Sequence, residues 1–82
     1  MSWKQLDGEL VIELVFNDFN QAFGFMTQVA MEAEKLNHHP TMVNTFNSVE
    51  LRVSTHDGGG AITAKDHDFA KAVDRILDGG RG

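Results

Sequence analysis

The sequence predicts an α+β fold, a four-stranded antiparallel sheet with helices packed on one face in the order ββαββα. Three observations point there. Residues 9–16 and 49–55 alternate apolar and polar side chains with the period of a strand. Residues 19–36 and 69–77 carry apolar side chains at helical spacing. Turn signals, Asp7-Gly8 in the first half and Asn47-Ser48 in the second, place a hairpin before each helix.

Taken in order, Trp3 to Leu6 is a short strand joined through Asp7-Gly8 to the strand Glu9 to Phe16. In the latter, Leu10, Ile12, Leu14 and Phe16 share one face, and Glu9, Val11, Glu13 and Val15 the other. The period then changes. Phe19, Ala22, Phe23, Met26, Val29, Ala30, Ala33 and Leu36 form a helical stripe, with Asn17 or Asp18 as N-cap. This predicts a helix of about 19 residues, roughly 28 Å long. Phe25 falls at the edge of the stripe and Met31 opposite it, which makes both candidates for a surface or subunit contact. Gly24 costs about 1 kcal/mol inside a helix relative to alanine, and a close approach of a neighbouring element is the expected reason for it. Pro40 ends any helix before it and biases His39 towards an extended conformation. Met42 to Phe46 and Val49 to Thr55 form the second hairpin, the latter with Val49, Leu51 and Val53 on its buried face. Thr63-Ala64-Lys65-Asp66 resembles a capping box, with Ile62 as staple. It opens a last helix that buries Phe69, Ala70, Val73, Ile76 and Leu77 and stops at Gly79.

At 82 residues and 9.1 kDa the chain reads as one domain, residues 1–82. A chain this short buries only about 60% of its unfolded surface, and with no cysteine no disulfide can brace it. Self-association is the remaining route to more buried surface, so a homodimer or homotetramer is expected. Exposed sheet edges offer the pairing surface. Seven Lys and Arg against twelve Asp and Glu leave a net charge of −5, a sign that disfavours direct nucleic-acid binding. No apolar run approaches the roughly 18 residues of a membrane span, and Met1-Ser2-Trp3-Lys4 lacks the apolar segment of a signal peptide. The expected location is therefore cytoplasmic.

Three of the four histidines sit at element ends. His38 and His39 follow the long helix, and His56 ends a strand ahead of Gly58-Gly59-Gly60. A helix C-terminus and a strand end can meet at one rim of an α+β layer. Glu34, one helical turn before His38, is placed to orient it, and Thr55 adds a hydroxyl. Loop histidines of no consequence are the bland alternative, and His67 in the first turn of the last helix fits that description. Zinc bound by His38, His39, His56 and Glu34 is a second alternative. Adjacent histidine side chains diverge, however, and no HExxH spacing is present. No cysteine or G-x-S-x-G serine offers a nucleophile, and neither phosphate-loop pattern occurs. Proton transfer without metal or cofactor, suited to imidazoles with an ordinary pKa of about 6.5, is therefore favoured over zinc.

Glu34-Lys35-Leu36-Asn37-His38-His39-Pro40, then Val49 to His56, Gly59-Gly60 and Asp66, resemble the pterin-4a-carbinolamine dehydratase family, also called dimerisation cofactors of a homeodomain transcription factor. Asp18-Phe19-Asn20 and Ala22 to Thr27 fit the same pattern, so the resemblance covers nearly the whole chain. It implies a four-stranded antiparallel sheet backed by helices. It also implies loss of water from a 4a-hydroxytetrahydropterin to give a quinonoid dihydropterin, at a metal-free site built on His38, His39 and His56. Glu34, Pro40, Thr55 and Asp66 would be substrate contacts, and the assembly a dimer or tetramer. The same resemblance supplies a rival, an interaction module for a protein partner. The chain departs from the family pattern in three ways. It starts at its first strand where many members carry a preceding helix. Met42 stands where an aromatic residue is common, and the segment from His56 to Asp66 is one residue longer.

Overall fold

The structure is a computed structural model that describes residues 3–55 and 61–79. Its elements run β1 (Lys4–Leu6), β2 (Glu9–Val15), α1 (Phe19–Leu36), β3 (Thr41–Thr45), β4 (Ser48–Val53) and α2 (Ala64–Gly79). The four strands form one antiparallel sheet in the order β1-β2-β4-β3. The expected α+β architecture and ββαββα order are therefore observed.

The register follows from the alternation. Leu10 pairs with Val53, Ile12 with Leu51 and Leu14 with Val49. Each pair sets apolar side chains side by side on one face, where they join Ala22, Phe25, Val29 and Ala33 of α1 and Phe69, Ala70 and Val73 of α2 in a single core. Both helices thus cover the same face of the sheet. At the first hairpin Asp7 and Gly8 both take positive φ, 53° and 79°, the conformation of a two-residue type I′ turn. The second hairpin turns on Phe46-Asn47, one residue earlier than the sequence suggests, because Thr45 pairs with Ser48. Phe46 sits at φ 51°, a left-handed conformation that a bulky side chain rarely adopts. Side-chain bonds hold it there. Asn44 Nδ2 donates to the carbonyls of Phe46 and Ser48, and Asn47 ties the turn to the backbone N–H and carbonyl of Phe16.

Asp18 caps α1 by accepting from the backbone N–H of Gln21 at 2.9 Å. The helix is 18 residues long, but its buried face is rotated from the expected stripe. Phe25 is 5% exposed, whereas Phe23 is 54% exposed. The Phe25 ring packs against Phe16 at the end of β2, with centroids 5.1 Å apart, and Phe23 pairs instead with Phe19 on the outer side. Phe25 is therefore not available for a subunit contact, while Met31 is exposed. The expected close approach at Gly24 is also absent. A methyl group there would meet no atom of another element within 4 Å.

On the uncovered sheet face, Arg52 bonds Glu50 and lies 3.7 Å from Glu9, while Val15 and Val43 are exposed. At the chain's start Trp3 packs edge-on against Phe69 of α2, and its indole N–H donates to Asp74 at 3.1 Å. Among the described residues no helix is long and apolar enough to cross a membrane.

Candidate active site

The end of α1, the end of β4 and the start of α2 converge on one carboxylate. α1 stops at Asn37, which takes φ 52° and ψ 44°. The Asn37 N–H bonds the Glu34 carbonyl, and the His38 N–H bonds that of Ala33. This is the Schellman arrangement, in which a left-handed residue reverses the chain and satisfies the last helical carbonyls. His38 is thereby placed outside the helix and turned towards α2. There its Nε2 lies 2.6 Å from Asp66 Oδ1.

Asp66 occupies the third position of α2, and its side chain is 0% exposed. A carboxylate in that position can reach back to the N–H of the residue that opens the helix. Asp66 Oδ2 accepts in this way from the Thr63 N–H at 2.8 Å, and also from the Thr55 hydroxyl at 2.7 Å. In an ordinary capping box the threonine hydroxyl would bond a helical N–H. Here Thr63 Oγ1 lies 2.6 Å from Thr55 Oγ1 instead. Thr55 also bonds Ala61 through its backbone N–H, which anchors both flanks of segment 56–60 beside the carboxylate.

Burial pushes the Asp66 carboxyl up, but the hydrogen bonds from His38, the Thr63 N–H and the Thr55 hydroxyl outweigh it and hold the carboxyl below its ordinary range. The group is therefore ionised near neutrality and only accepts hydrogen bonds. It follows that His38 Nε2 carries the proton at this contact. The side chain of His38 is 11% exposed, so the imidazole is largely enclosed but reachable.

The other expected residues are placed as follows. Glu34 does not orient His38. Its Oε1 lies 2.9 Å from Nε2 of His39, and both side chains are exposed. The reason is the reversal at Asn37, which breaks the helical spacing on which the Glu34–His38 pairing was based. Pro40 is half-buried immediately before β3, and His67 is exposed. Met42 packs against the core. His56, with Gly58, Gly59 and Gly60, lies outside the described residues. Thr63 was not expected at the site at all. The available signal was the capping-box pattern itself, which places its first residue beside its fourth. Among the described residues no group of three or more His, Asp and Glu side chains is arranged to hold a metal ion. A cleft of about 430 Å³ lined by Phe16, Phe25, Ile76 and Leu77 lies apart from His38 and Asp66.

A helix-backed antiparallel sheet, with a carboxylate and an imidazole in contact where three element ends meet, defines a small α+β protein. The chain belongs to the pterin 4 alpha carbinolamine dehydratase family, whose model matches residues 1–76. It is 47% identical over 75 residues to a protein of Prochlorococcus marinus provisionally named a pterin-4-alpha-carbinolamine dehydratase, covering 92% of this chain and 77% of that one. A relative of the same provisional name from Bradyrhizobium sp. is 49% identical over 76 residues, covering 90% and 76%. Among solved structures, a transcriptional coactivator/pterin dehydratase from Brucella melitensis superposes with a TM-score of 0.83 at 37% identity, covering 90% of this chain and 80% of that one. A pterin dehydratase-like protein identified as a RuBisCO assembly factor in the alpha-carboxysome superposes at 0.77, covering 93% and 89%. At 20% identity it speaks to the fold alone.

Proposed function

We propose that this chain is a 4a-hydroxytetrahydrobiopterin dehydratase, a hydro-lyase that acts in the cytoplasm as one domain of residues 1–82. The substrate loses hydroxide from C4a and a proton from a ring nitrogen, giving quinonoid dihydropterin and water. The observation that carries this reading is the 2.6 Å contact between His38 and the buried, ionised Asp66, which leaves Nδ1 of His38 as the nitrogen that takes a proton. Among the described residues Nδ1 has no hydrogen-bond partner. A second imidazole, in its cationic form, protonates the leaving hydroxyl. His56 is assigned that role because it follows Thr55 directly in sequence, and Thr55 shares the Asp66 carboxylate with His38. His39, paired with Glu34 beside it, positions the ring system, and Pro40 fixes the chain between the histidines and β3. No metal or cofactor takes part in this scheme.

A purified-protein assay on the carbinolamine tests the proposal. His38→Ala and His56→Ala should each lower turnover by about 10²-fold or more, the contribution of one positioned acid or base. His67→Ala should leave turnover unchanged. Full activity in either of the first two variants would sink the mechanism.

A second reading, a non-catalytic dimerisation or interaction module, is favoured by a different observation. Phe19 and Phe23 stack at 5.7 Å on the outer side of α1, both exposed, and Met31 is exposed on the same helix. Absence of turnover in the folded protein would favour that reading over the first. Under either, the unpaired edges β1 and β3 support a homodimer or homotetramer. Light scattering at micromolar concentration should give a multiple of 9.1 kDa, and a mass near 9.1 kDa would refute self-association.

A further inference from the structure

The hydrogen bonds around Asp66 have a fixed direction. Its Oδ2 receives two donors, the Thr55 hydroxyl and the Thr63 backbone N–H. Because Thr55 spends its single proton on Asp66, the short contact between the two threonines requires the Thr63 hydroxyl to donate to Thr55. The chain of donors thus runs from Thr63 through Thr55 to Oδ2, and His38 donates to Oδ1 from the other side. No hydroxyl or imidazole proton in it can turn away without leaving an acceptor facing the carboxylate.

From this we infer that Asp66 is a positioning residue rather than a substrate contact, and that it acts by selecting the tautomer of His38. The carboxylate holds the proton on Nε2, so that Nδ1 is always the basic nitrogen. Thr55 and Thr63 hold the carboxylate in the one orientation that does this. The effect on turnover rests on the acid–base reading above, whereas the tautomer itself does not depend on it.

Asp66→Asn makes the inference testable, because the two donors at Oδ2 decide how the amide sits. Its oxygen must face Thr55 and the Thr63 N–H, and its NH₂ must then face His38. A donor at Nε2 forces that nitrogen to accept, and the imidazole proton moves to Nδ1. The substitution changes neither the shape of the side chain nor the number of bonds, yet it removes the base.

Long-range proton–nitrogen correlation spectra of isotope-labelled protein read the tautomer directly, at a pH high enough that the His38 signals no longer change. The expected result is a protonated Nε2 in the unaltered chain and a protonated Nδ1 in Asp66→Asn. In the dehydratase assay, Asp66→Asn should lower kcat by about 10²-fold or more, with KM little changed. A protonated Nδ1 in the unaltered chain would overturn the inference whether or not the variant folds. So would an unchanged tautomer in Asp66→Asn, or a reversed tautomer with full turnover. If the unaltered chain has no dehydratase activity, the acid–base reading fails, and the two spectra still decide whether Asp66 sets the tautomer.

Discussion

Replacing Asp66 by alanine should be among the most destabilising single changes in this chain. The side chain is wholly buried and accepts three hydrogen bonds, at 2.6, 2.7 and 2.8 Å. A hydrogen bond to a charged group contributes about 1.5–3 kcal/mol. Not all three are lost outright, since the Thr55 hydroxyl already lies 2.6 Å from Thr63 Oγ1 and can turn to it. The Thr63 N–H and the His38 Nε2–H keep no such substitute among the described residues. Loss of two charge-assisted bonds, one of them the cap on α2, gives about 3–5 kcal/mol, the usual cost of removing one partner of a buried pair. For 82 residues the whole stability is on the order of 4–12 kcal/mol. Urea unfolding at fixed protein concentration, followed by circular dichroism, measures the loss. With a slope of about 1 kcal/mol/M for a chain of this size, the midpoint should fall by about 3–5 M or the protein should be unfolded without denaturant. Asp68→Ala, at an exposed position of the same helix, should stay within about 0.5 kcal/mol. A loss below about 1 kcal/mol for Asp66→Ala would show that water or rearranged partners replace the carboxylate, and the account of a dry, fully committed network would fall.

Acid should act through the same group. Hydrogen bonds hold its carboxyl below the ordinary range, so its contribution is complete above the unfolded value of about 3.9 and is lost as the pH falls through the lower folded one. Stability measured from pH 6 downward, a range set by that value of about 3.9, should therefore decline less steeply in Asp66→Asn than in the unaltered chain, and parallel curves would contradict this. Gly24→Ala should raise stability by about 1 kcal/mol, because the helix gains propensity and the new methyl group meets no other element; a lower melting temperature would contradict the packing. Phe46→Asn should be neutral to stabilising, by up to about 1 kcal/mol, since asparagine tolerates φ 51° and Phe46 is 65% exposed. A clear loss there would indicate that the ring buries surface in the assembled protein.

The strands were legible because alternation encodes one face without ambiguity. A shift of one residue would have exchanged Leu10, Ile12 and Leu14 for Glu9, Val11 and Glu13. The rotation of α1 was not legible. Phe23 and Phe25 lie two residues apart on a helix that also carries Phe19, Ala22, Met26, Ala30 and Met31, and its apolar arc is too wide to choose between them. The choice depends on Phe16, whose ring meets Phe25 only once the sheet and helix are docked. The sequence did not show which side chains around the histidine pair and Asp66 partner one another. Glu34 and His38 have helical spacing in the sequence, and only the left-handed turn at Asn37 hands Glu34 to His39 and His38 to Asp66. An asparagine directly after the last apolar residue of a helical pattern is the signal that the helical spacing from Glu34 does not carry on to His38.

Trp3 is the chain's sole tryptophan, and there is no tyrosine. Its indole rests on Phe69 and bonds Asp74, 71 positions further along. Intrinsic fluorescence from this protein therefore monitors one event, the closure of the two ends of the polypeptide upon each other. Such long-range closure carries the largest loop entropy and is formed late in folds that begin from local hairpins and helices. Emission and helicity followed in the same refolding experiment would then separate in time if docking of the first strand on the last helix completes the fold, and would coincide if the whole chain condenses at once.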